Sequence, residues 1–165
     1  MTTKQKRTFA KLGYSQVDTA EMVTVLNRLL SGYSVYQQKL RNFHWNITGQ
    51  DFFEIHNLFE NMYKRAITET DEIAERIRLF GQRPASNFTE YLKISTVEEV
   101  SAATTSFEMA KIILSDIRTL LESMEDGINA AQEIGDNGTE YILKSFIYNM
   151  EKEHWILTSW IKQNV

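Results

Sequence analysis

Hydrophobic residues recur along the chain at alternating spacings of three and four residues, which is the period of an amphipathic α-helix. The first series predicts a helix over about residues 18–47 and consists of Met22, Leu26, Leu29, Tyr33, Tyr36, Leu40 and Phe43. The second series begins at Ile55, and because Gly81 supplies a C-terminal cap it predicts a helix over about residues 51–80. Two capping-box patterns mark the helix starts: Asp18 with Glu21, and Asp51 with Glu54.

The second half of the sequence predicts two more long helices. A third capping box, Thr96 with Glu99, opens a helix over about residues 96–134 whose inner face contains Val97, Val100, Phe107, Leu114, Ile117, Leu121, Met124 and Ile128. After a turn, a helix over about residues 139–163 contains Leu143, Phe146, Met150, Leu157 and Trp160 on its inner face, interrupted by Glu153. A short helix is also predicted around Phe88 to Leu92.

The lengths of the connections restrict how these helices are arranged. The first pair and the last pair are each joined by a few residues, so the members of each pair run antiparallel. About 15 residues join the second helix to the third, and an extended chain of that length, at about 3.3 Å per residue, can run the whole length of a helix. The sequence therefore predicts one all-α domain over residues 1–165, a ferritin-like four-helix bundle with one long crossover containing the short helix.

Metal-ligating side chains are concentrated in one stretch of the sequence. It contains two of the three histidines, His44 and His56, and three carboxylates at helical spacing from His56, namely Glu60, Asp71 and Glu75. Fifteen residues separate His56 from Asp71, which is about 22 Å along a helix, whereas metal–ligand bonds are about 2 Å long. If the histidines and the acid pair bind one ion, they must therefore come from two chains related by a twofold axis.

Composition limits the chemistry and the partners. The chain has no cysteine, which excludes thiolate ligands and leaves nitrogen and oxygen donors for any ion. The start of the sequence has no apolar core for a signal peptide, and no run is long enough for a membrane span, so we expect a cytoplasmic protein. The net charge of −4 argues against a protein whose whole surface binds nucleic acid.

Residues 1–17 differ from this acidic average because they contain four basic residues and no acid: Lys4, Lys6, Arg7 and Lys11. A basic arm on an acidic body is typical of a segment that contacts DNA, and such contact would make the protein nucleoid-associated. The alternative is a solvated, flexible terminus without a partner. Both interpretations remain open at this point.

The stretch NFHWNITGQDFFEIH, followed by DEIAERI, resembles the Dps family, the miniferritins named as DNA-binding proteins from starved cells. The similarity covers nearly the whole chain and includes the helix lengths, the crossover and the spacing of His44, His56, Asp71 and Glu75. It implies a hollow dodecamer with a ferroxidase centre at each twofold interface, formed by the histidines of one subunit and the acids of its neighbour. It also implies that the shell oxidises Fe(II), preferentially with hydrogen peroxide, and stores ferric iron, which protects against oxidative damage.

The same resemblance implies roles for individual residues. The iron ligands are expected to be His44, His56, Glu60, Asp71 and Glu75. Glu60, which would bind directly or through a water, stands where many family members have an aspartate. Trp45 resembles the family's tryptophan near the iron, which can donate an electron to a reactive intermediate; packing in the core or at an interface is the alternative.

Other polar groups have weaker assignments. A metal site inside one bundle needs Glu-x-x-His on two helices, and this sequence has only Glu151 to His154, so His154 is predicted to lie at a helix end or an interface. Arg76 and Arg78 are predicted to pair with interface acids, and Asp136 and Glu140 to line an acidic pore for iron.

Two alternative functions stay open. Two imidazoles with two carboxylates also suit zinc as a substitute ion. The second alternative is that the protein is a DNA-compacting structural protein whose metal site is incidental.

Overall fold

The structure is a computed structural model of the chain and describes residues 10–101 and 105–163. Within these ranges it contains five α-helices after a short 3₁₀ turn at Ala10–Gly13: α1 at Gln16–Asn46, α2 at Phe52–Leu79, α3 at Phe88–Ile94, α4 at Ser106–Ile134 and α5 at Asn137–Gln163. The four long helices form a bundle, and α3 lies in the crossover between α2 and α4. The predicted all-α bundle with a short crossover helix is confirmed. No helix in this part of the chain is long and apolar enough to cross a membrane.

Apolar side chains at helical spacing hold the bundle together. α1 packs against α2, α3 and α4, and α5 packs against α4 and α2. All the predicted inner-face residues of α1 are buried, and so are those of the last helix. Because burying one large apolar side chain contributes about 1.5–3 kcal/mol, these two stripes supply a large driving force for packing.

The predicted start of the third long helix at Thr96, with Glu99 in a capping box, is wrong. α4 begins at Ser106, and the hydroxyl of its N-cap residue Thr105 accepts a hydrogen bond from the Glu108 amide at 3.1 Å. The sequence therefore contains two candidate capping patterns, and the structure uses the second.

The segment before α4 is irregular because side chains satisfy its backbone groups. The Ser95 hydroxyl accepts a hydrogen bond from the Val97 amide at 3.0 Å and donates one to the Val97 carbonyl at 2.7 Å. The Asn42 side chain donates to the Val100 carbonyl at 3.1 Å. Val97 is buried in the core without being helical, so it follows no helical period.

This difference also changes the inner face of α4. Phe107, Leu114 and Leu121, which were predicted to face the core, are only half-buried. The buried face consists of Met109, Ala110, Ile113, Ile117, Leu120, Met124, Ile128 and Ala131. The predicted inner face was counted at helical spacing from Val97 and Val100. These two residues precede α4 and are not helical, so their spacing does not indicate which face of α4 is buried.

The caps of the first two helices also differ from the prediction. Ser15, rather than Asp18, is the N-cap of α1: the Ser15 hydroxyl accepts from the Asp18 amide at 3.1 Å, and the Asp18 carboxylate accepts from the Ser15 amide at 3.4 Å. Asp51 is the N-cap residue of α2, but its carboxylate accepts a hydrogen bond from the Ser106 hydroxyl at 2.7 Å instead of capping the helix. This bond joins the starts of α2 and α4, so α4 begins at the end of the bundle that the crossover length predicts.

The turn between α4 and α5 contains a buried ion pair. Asp136 is fully buried, pairs with Arg76 and accepts a hydrogen bond from the Tyr14 hydroxyl at 3.0 Å. A Cβ atom at Gly138 would lie 2.8 Å from the Arg76 guanidinium, so the glycine leaves the space that the guanidinium occupies. The predictions that Asp136 lines a pore and that Arg76 pairs across an interface are therefore wrong, whereas the pore assignment of Glu140 stays a prediction.

Two acids lie inside the bundle between α2 and α5. Glu69 and Glu153 are each only 5% exposed. Arg65 Nη1 lies 3.0 Å from Glu153 Oε1, and the Asn149 side chain donates a hydrogen bond to Glu69 at 3.1 Å. Burial still raises the pKa of Glu69 to about 7 and that of Glu153 to about 8, because the interior disfavours the charged carboxylates more than these partners favour them.

These raised pKa values predict that the protein loses stability as the pH rises. An unfolded glutamate loses its proton near pH 4.5, whereas folded Glu153 keeps it up to about pH 8, so the free energy of unfolding decreases across that interval. Glu153→Gln removes this contribution and should flatten the fall in the thermal midpoint between about pH 5 and pH 8 at fixed protein concentration. The control is Glu151→Gln on the exposed face of α5. Parallel profiles for the wild type and Glu153→Gln would contradict the prediction.

Candidate metal centre

His44 and His56 face each other across the corner between α1 and α2. His44 lies in the last turn of α1 and His56 follows the first turn of α2. The chain reverses between them at Gly49, whose φ of +102° is a conformation that favours glycine. The twelve-residue separation in sequence therefore becomes ring-to-ring contact, with the ring centroids 3.8 Å apart and the planes inclined by 27°.

Each imidazole is hydrogen-bonded to the backbone carbonyl of the other residue. His44 Nδ1 lies 2.9 Å from the His56 carbonyl oxygen, and His56 Nδ1 lies 2.9 Å from the His44 carbonyl oxygen. A carbonyl can only accept, so each Nδ1 carries the proton of this hydrogen bond, and Nε2 is the nitrogen left for a metal. The last carbonyl groups of a helix have no hydrogen-bond partner within the helix. The Nδ1–H group of His56 provides such a partner for the His44 carbonyl at the end of α1. The folded chain thus selects the tautomer that can bind a metal through Nε2.

Further aromatic rings limit the motion of the imidazole pair. Phe52 stacks on His56 with the centroids 4.7 Å apart. Tyr63 meets the other imidazole edge-on, with its centroid 5.4 Å from that of His44. His44 is buried and His56 is half-buried, so one side of the pair remains accessible. Neither flanking ring was singled out from the sequence, although Tyr63 follows His56 by seven residues and therefore lies on the same face of α2.

Glu60 completes a cluster of three possible ligands. One ligand atom from each of His44, His56 and Glu60 can be chosen so that all lie within 4.8 Å of one another, and no other such group occurs among residues 10–101 and 105–163. Lys64 Nζ lies 2.6 Å from Glu60 Oε1, and this hydrogen bond lowers the pKa of the Glu60 carboxyl. Two neutral nitrogen donors and one carboxylate suit Fe(II) or Zn(II), and three protein ligands leave coordination positions open.

Asp71 and Glu75 lie elsewhere on the subunit. α2 runs without interruption from Phe52 to Leu79, so the distance from His56 to Asp71 is about 22 Å along its axis. Both acids are exposed. The structure therefore brings together three of the five predicted ligands, and the assignment of Asp71 and Glu75 to a neighbouring subunit stays a prediction.

Trp45 and His154 lie outside this cluster. The Trp45 side chain is 59% exposed, and the guanidinium carbon of Arg41 lies 4.9 Å from the centre of its ring. The prediction that Trp45 packs in the core of the subunit is therefore wrong. Its packing at an interface and its role near the iron stay predictions. His154 is half-buried on α5.

Comparison with known proteins identifies the family. A family model for the ferritin-like domain matches residues 23–164. The DNA protection during starvation protein 2 of Bacillus anthracis is 35% identical over 143 residues, which cover 87% of this chain and 98% of that protein. The chain belongs to the Dps family of ferritin-like proteins. The Dps resemblance of the α1–α2 motif is thereby confirmed.

Solved Dps structures agree with this fold. A Dps protein from Vibrio cholerae O1, described as a member of a broad superfamily of ferritin-like diiron-carboxylate proteins, has a TM-score of 0.88 and 32% identity over 90% of this chain and 94% of its own. Dps from Listeria innocua, solved after a zinc soak, has a TM-score of 0.82 and 25% identity over 86% and 96% of the two chains. Membership of the Dps family supports a role in iron sequestration and protection.

The geometry predicts which histidines contribute to metal affinity. His56→Ala removes one Nε2 donor and the hydrogen bond to the His44 carbonyl, so we expect Zn(II) affinity to fall by at least roughly 10- to 100-fold, the range that outer-shell partners alone contribute. Isothermal titration calorimetry on the assembled protein measures this change. His154→Ala is the matched control and should bind as the wild type does. Equal affinities for the wild type and His56→Ala would remove His56 from the site.

Proposed function

We propose that this Dps-family chain is a ferroxidase that oxidises Fe(II), with hydrogen peroxide as its preferred oxidant, and retains ferric iron inside a dodecameric shell. The observation that carries the proposal is the imidazole pair whose Nδ1 protons are held by backbone carbonyls. It leaves two Nε2 donors beside the Glu60 carboxylate, a donor set that suits Fe(II) as a substrate.

The open coordination positions support redox chemistry at this centre. Three ligands from one chain leave room for ligands from a partner and for peroxide. Two Fe(II) ions supply one electron each, and hydrogen peroxide takes up these two electrons and two protons to form two water molecules. No hydroxyl radical is released in this balance, which explains how such a reaction protects other molecules from iron and peroxide.

The outer face of α2 supports completion of the site by a second copy. Phe53 and Ile67 are 78% and 44% exposed, and both project from the face that carries His56 and Asp71. A contact surface on this face would cover both side chains. Two α2 helices placed antiparallel about a twofold axis bring His56 opposite Asp71 and bury these apolar side chains.

Zinc is a competing ion for the same donors. The Listeria innocua relative was solved after a zinc soak, and two imidazoles with carboxylates are common zinc ligands. Zn(II) has no redox chemistry, so in our proposal it binds in place of Fe(II) and inhibits oxidation.

Shared sites predict complementation between two inactive variants. Asp71→Ala and His56→Ala should each greatly slow peroxide-driven Fe(II) oxidation while the shell stays assembled. In a dimer of one variant with the other, one site keeps both histidines and both acids, while the second site lacks one ligand from each chain. Shells reassembled from an equal mixture should therefore regain about a quarter of the wild-type sites, measured by the absorbance of ferric product.

The control for complementation is each variant taken through the same unfolding and reassembly alone. Recovery in the mixture but not in the controls supports a site shared between subunits. Mixed shells as inactive as their parents would contradict the shared site, and a wild-type shell that does not oxidise Fe(II) with peroxide would contradict the ferroxidase proposal itself.

DNA binding is a second candidate function, favoured by the basic arm and by the name of the Bacillus anthracis relative. The arm residues Lys4, Lys6 and Arg7 lie outside the described residues, as does the side chain of Lys11. Deletion of residues 1–11 should abolish retardation of DNA in a gel at low salt, because it removes all four basic groups. Retardation that is unchanged by the deletion would show that the arm is not the DNA-binding segment. A full-length protein that retards no DNA would leave iron handling as the one remaining candidate function.

A further inference from the structure

Tyr63 supplies the phenol that lies beside the imidazole pair. Its ring meets His44 edge-on at 66°, with the centroids 5.4 Å apart, which is within the range of direct aromatic contact. Tyr63 follows Glu60 by three residues and His56 by seven, so all three side chains project from one face of α2. Tyr63 is half-buried in the subunit.

We propose that Tyr63 is a one-electron donor to the metal centre, an inference that rests on the proposed ferroxidase function. Tyr63 acts when a site holds a single Fe(II) and the second electron for peroxide is missing. It is oxidised to a neutral tyrosyl radical, which keeps the oxidising equivalent on the protein and prevents release of hydroxyl radical.

The reaction balances with Tyr63 as the second reductant. Fe(II) gives one electron and becomes Fe(III), while the Tyr63 phenol gives one electron and its O–H proton. Hydrogen peroxide takes both electrons, the phenolic proton and one proton from solvent, and its O–O bond breaks to form two water molecules. The products are Fe(III), a neutral tyrosyl radical and water.

The surroundings favour Tyr63 over Trp45 as the donor. Loss of an electron from an indole first gives a cation, and the Arg41 guanidinium already lies 4.9 Å from the centre of the Trp45 ring. Two like charges at this distance repel each other, so this contact opposes oxidation of Trp45. A phenol that loses a proton together with its electron stays neutral. Trp45 has no ring contact with either histidine among the contacts of the described residues.

The other tyrosines are less suited to the role. Tyr33 and Tyr36 are fully buried in the core, and neither has a ring contact with an imidazole among the contacts of the described residues. Tyr141 and Tyr148 are 76% and 70% exposed on α5, and neither has a ring contact with the imidazoles. Among these tyrosines, Tyr63 is the one whose ring contacts the metal centre.

Electron paramagnetic resonance on the assembled protein tests the proposal. The shell is loaded with less than one Fe(II) per site, mixed with excess hydrogen peroxide and frozen within milliseconds. We expect an organic radical signal that narrows when the protein contains ring-deuterated tyrosine. Tyr63→Phe should lose most of this signal, because phenylalanine keeps the edge-on ring but lacks the phenol. Trp45→Phe and the surface control Tyr148→Phe should retain it.

Zinc affinity separates electron donation from positioning of His44. We expect Tyr63→Phe to bind Zn(II) as the wild type does, because the ring contact is preserved. A fall of about tenfold or more in zinc affinity, which corresponds to about 1.4 kcal/mol, would make Tyr63 a positioning residue and overturn the proposal.

The remaining outcomes are also decisive. A radical that survives in Tyr63→Phe, or that disappears in Trp45→Phe instead, would overturn the role of Tyr63. Rapid Fe(II) oxidation without any protein radical would overturn it as well, while leaving the ferroxidase proposal intact. If the wild-type shell does not oxidise Fe(II), both proposals fail together.

Discussion

The rigidity of α2 is the constraint on which the metal chemistry depends. One uninterrupted helix carries His56 and Glu60 near its start and Asp71 and Glu75 towards its end. The rise of an α-helix is fixed at about 1.5 Å per residue, so no change of side-chain rotamer brings the two groups together within one chain. A site that uses both groups has to be formed by two helices, so in our proposal assembly is a condition of the chemistry rather than a separate property of the fold.

The subunit by itself prepares the three ligands that it brings together. The two reciprocal hydrogen bonds between imidazoles and carbonyls fix which nitrogen carries the proton before any metal arrives. Lys64 neutralises Glu60 without filling the site, because its ammonium group also reaches solvent. Since an exposed ion pair of this kind contributes little, a divalent ion can replace the ammonium at Glu60 at small cost.

Sequence analysis succeeded where one local pattern has one structural solution. The seven-residue apolar stripe of α1 belongs to this class. The sequence also singled out His44 and His56 as candidate ligands, but it did not predict the contact between their rings. It failed where two patterns compete, as at Thr96 and Thr105, each of which has a glutamate three residues later. The choice depends on the burial of Val97 and on the hydrogen bond from Asn42, and both are tertiary contacts that a single local window does not contain.

The bundle interior explains why the metal-ligating groups lie on the outside of the subunit. Glu69 and Glu153 project from α2 and α5 into the region where a metal site within a single bundle would be built. The guanidinium of Arg65 lies 3.0 Å from Glu153, so the chain already places a positive charge there, which repels a metal cation. Burial also raises the pKa values of both acids to about 7 and 8, which makes them poor ligands for a divalent ion at neutral pH. Metal chemistry is therefore favoured at the face of α2 that bears His56, where imidazole nitrogens are free and a second copy of the chain can add the missing charge.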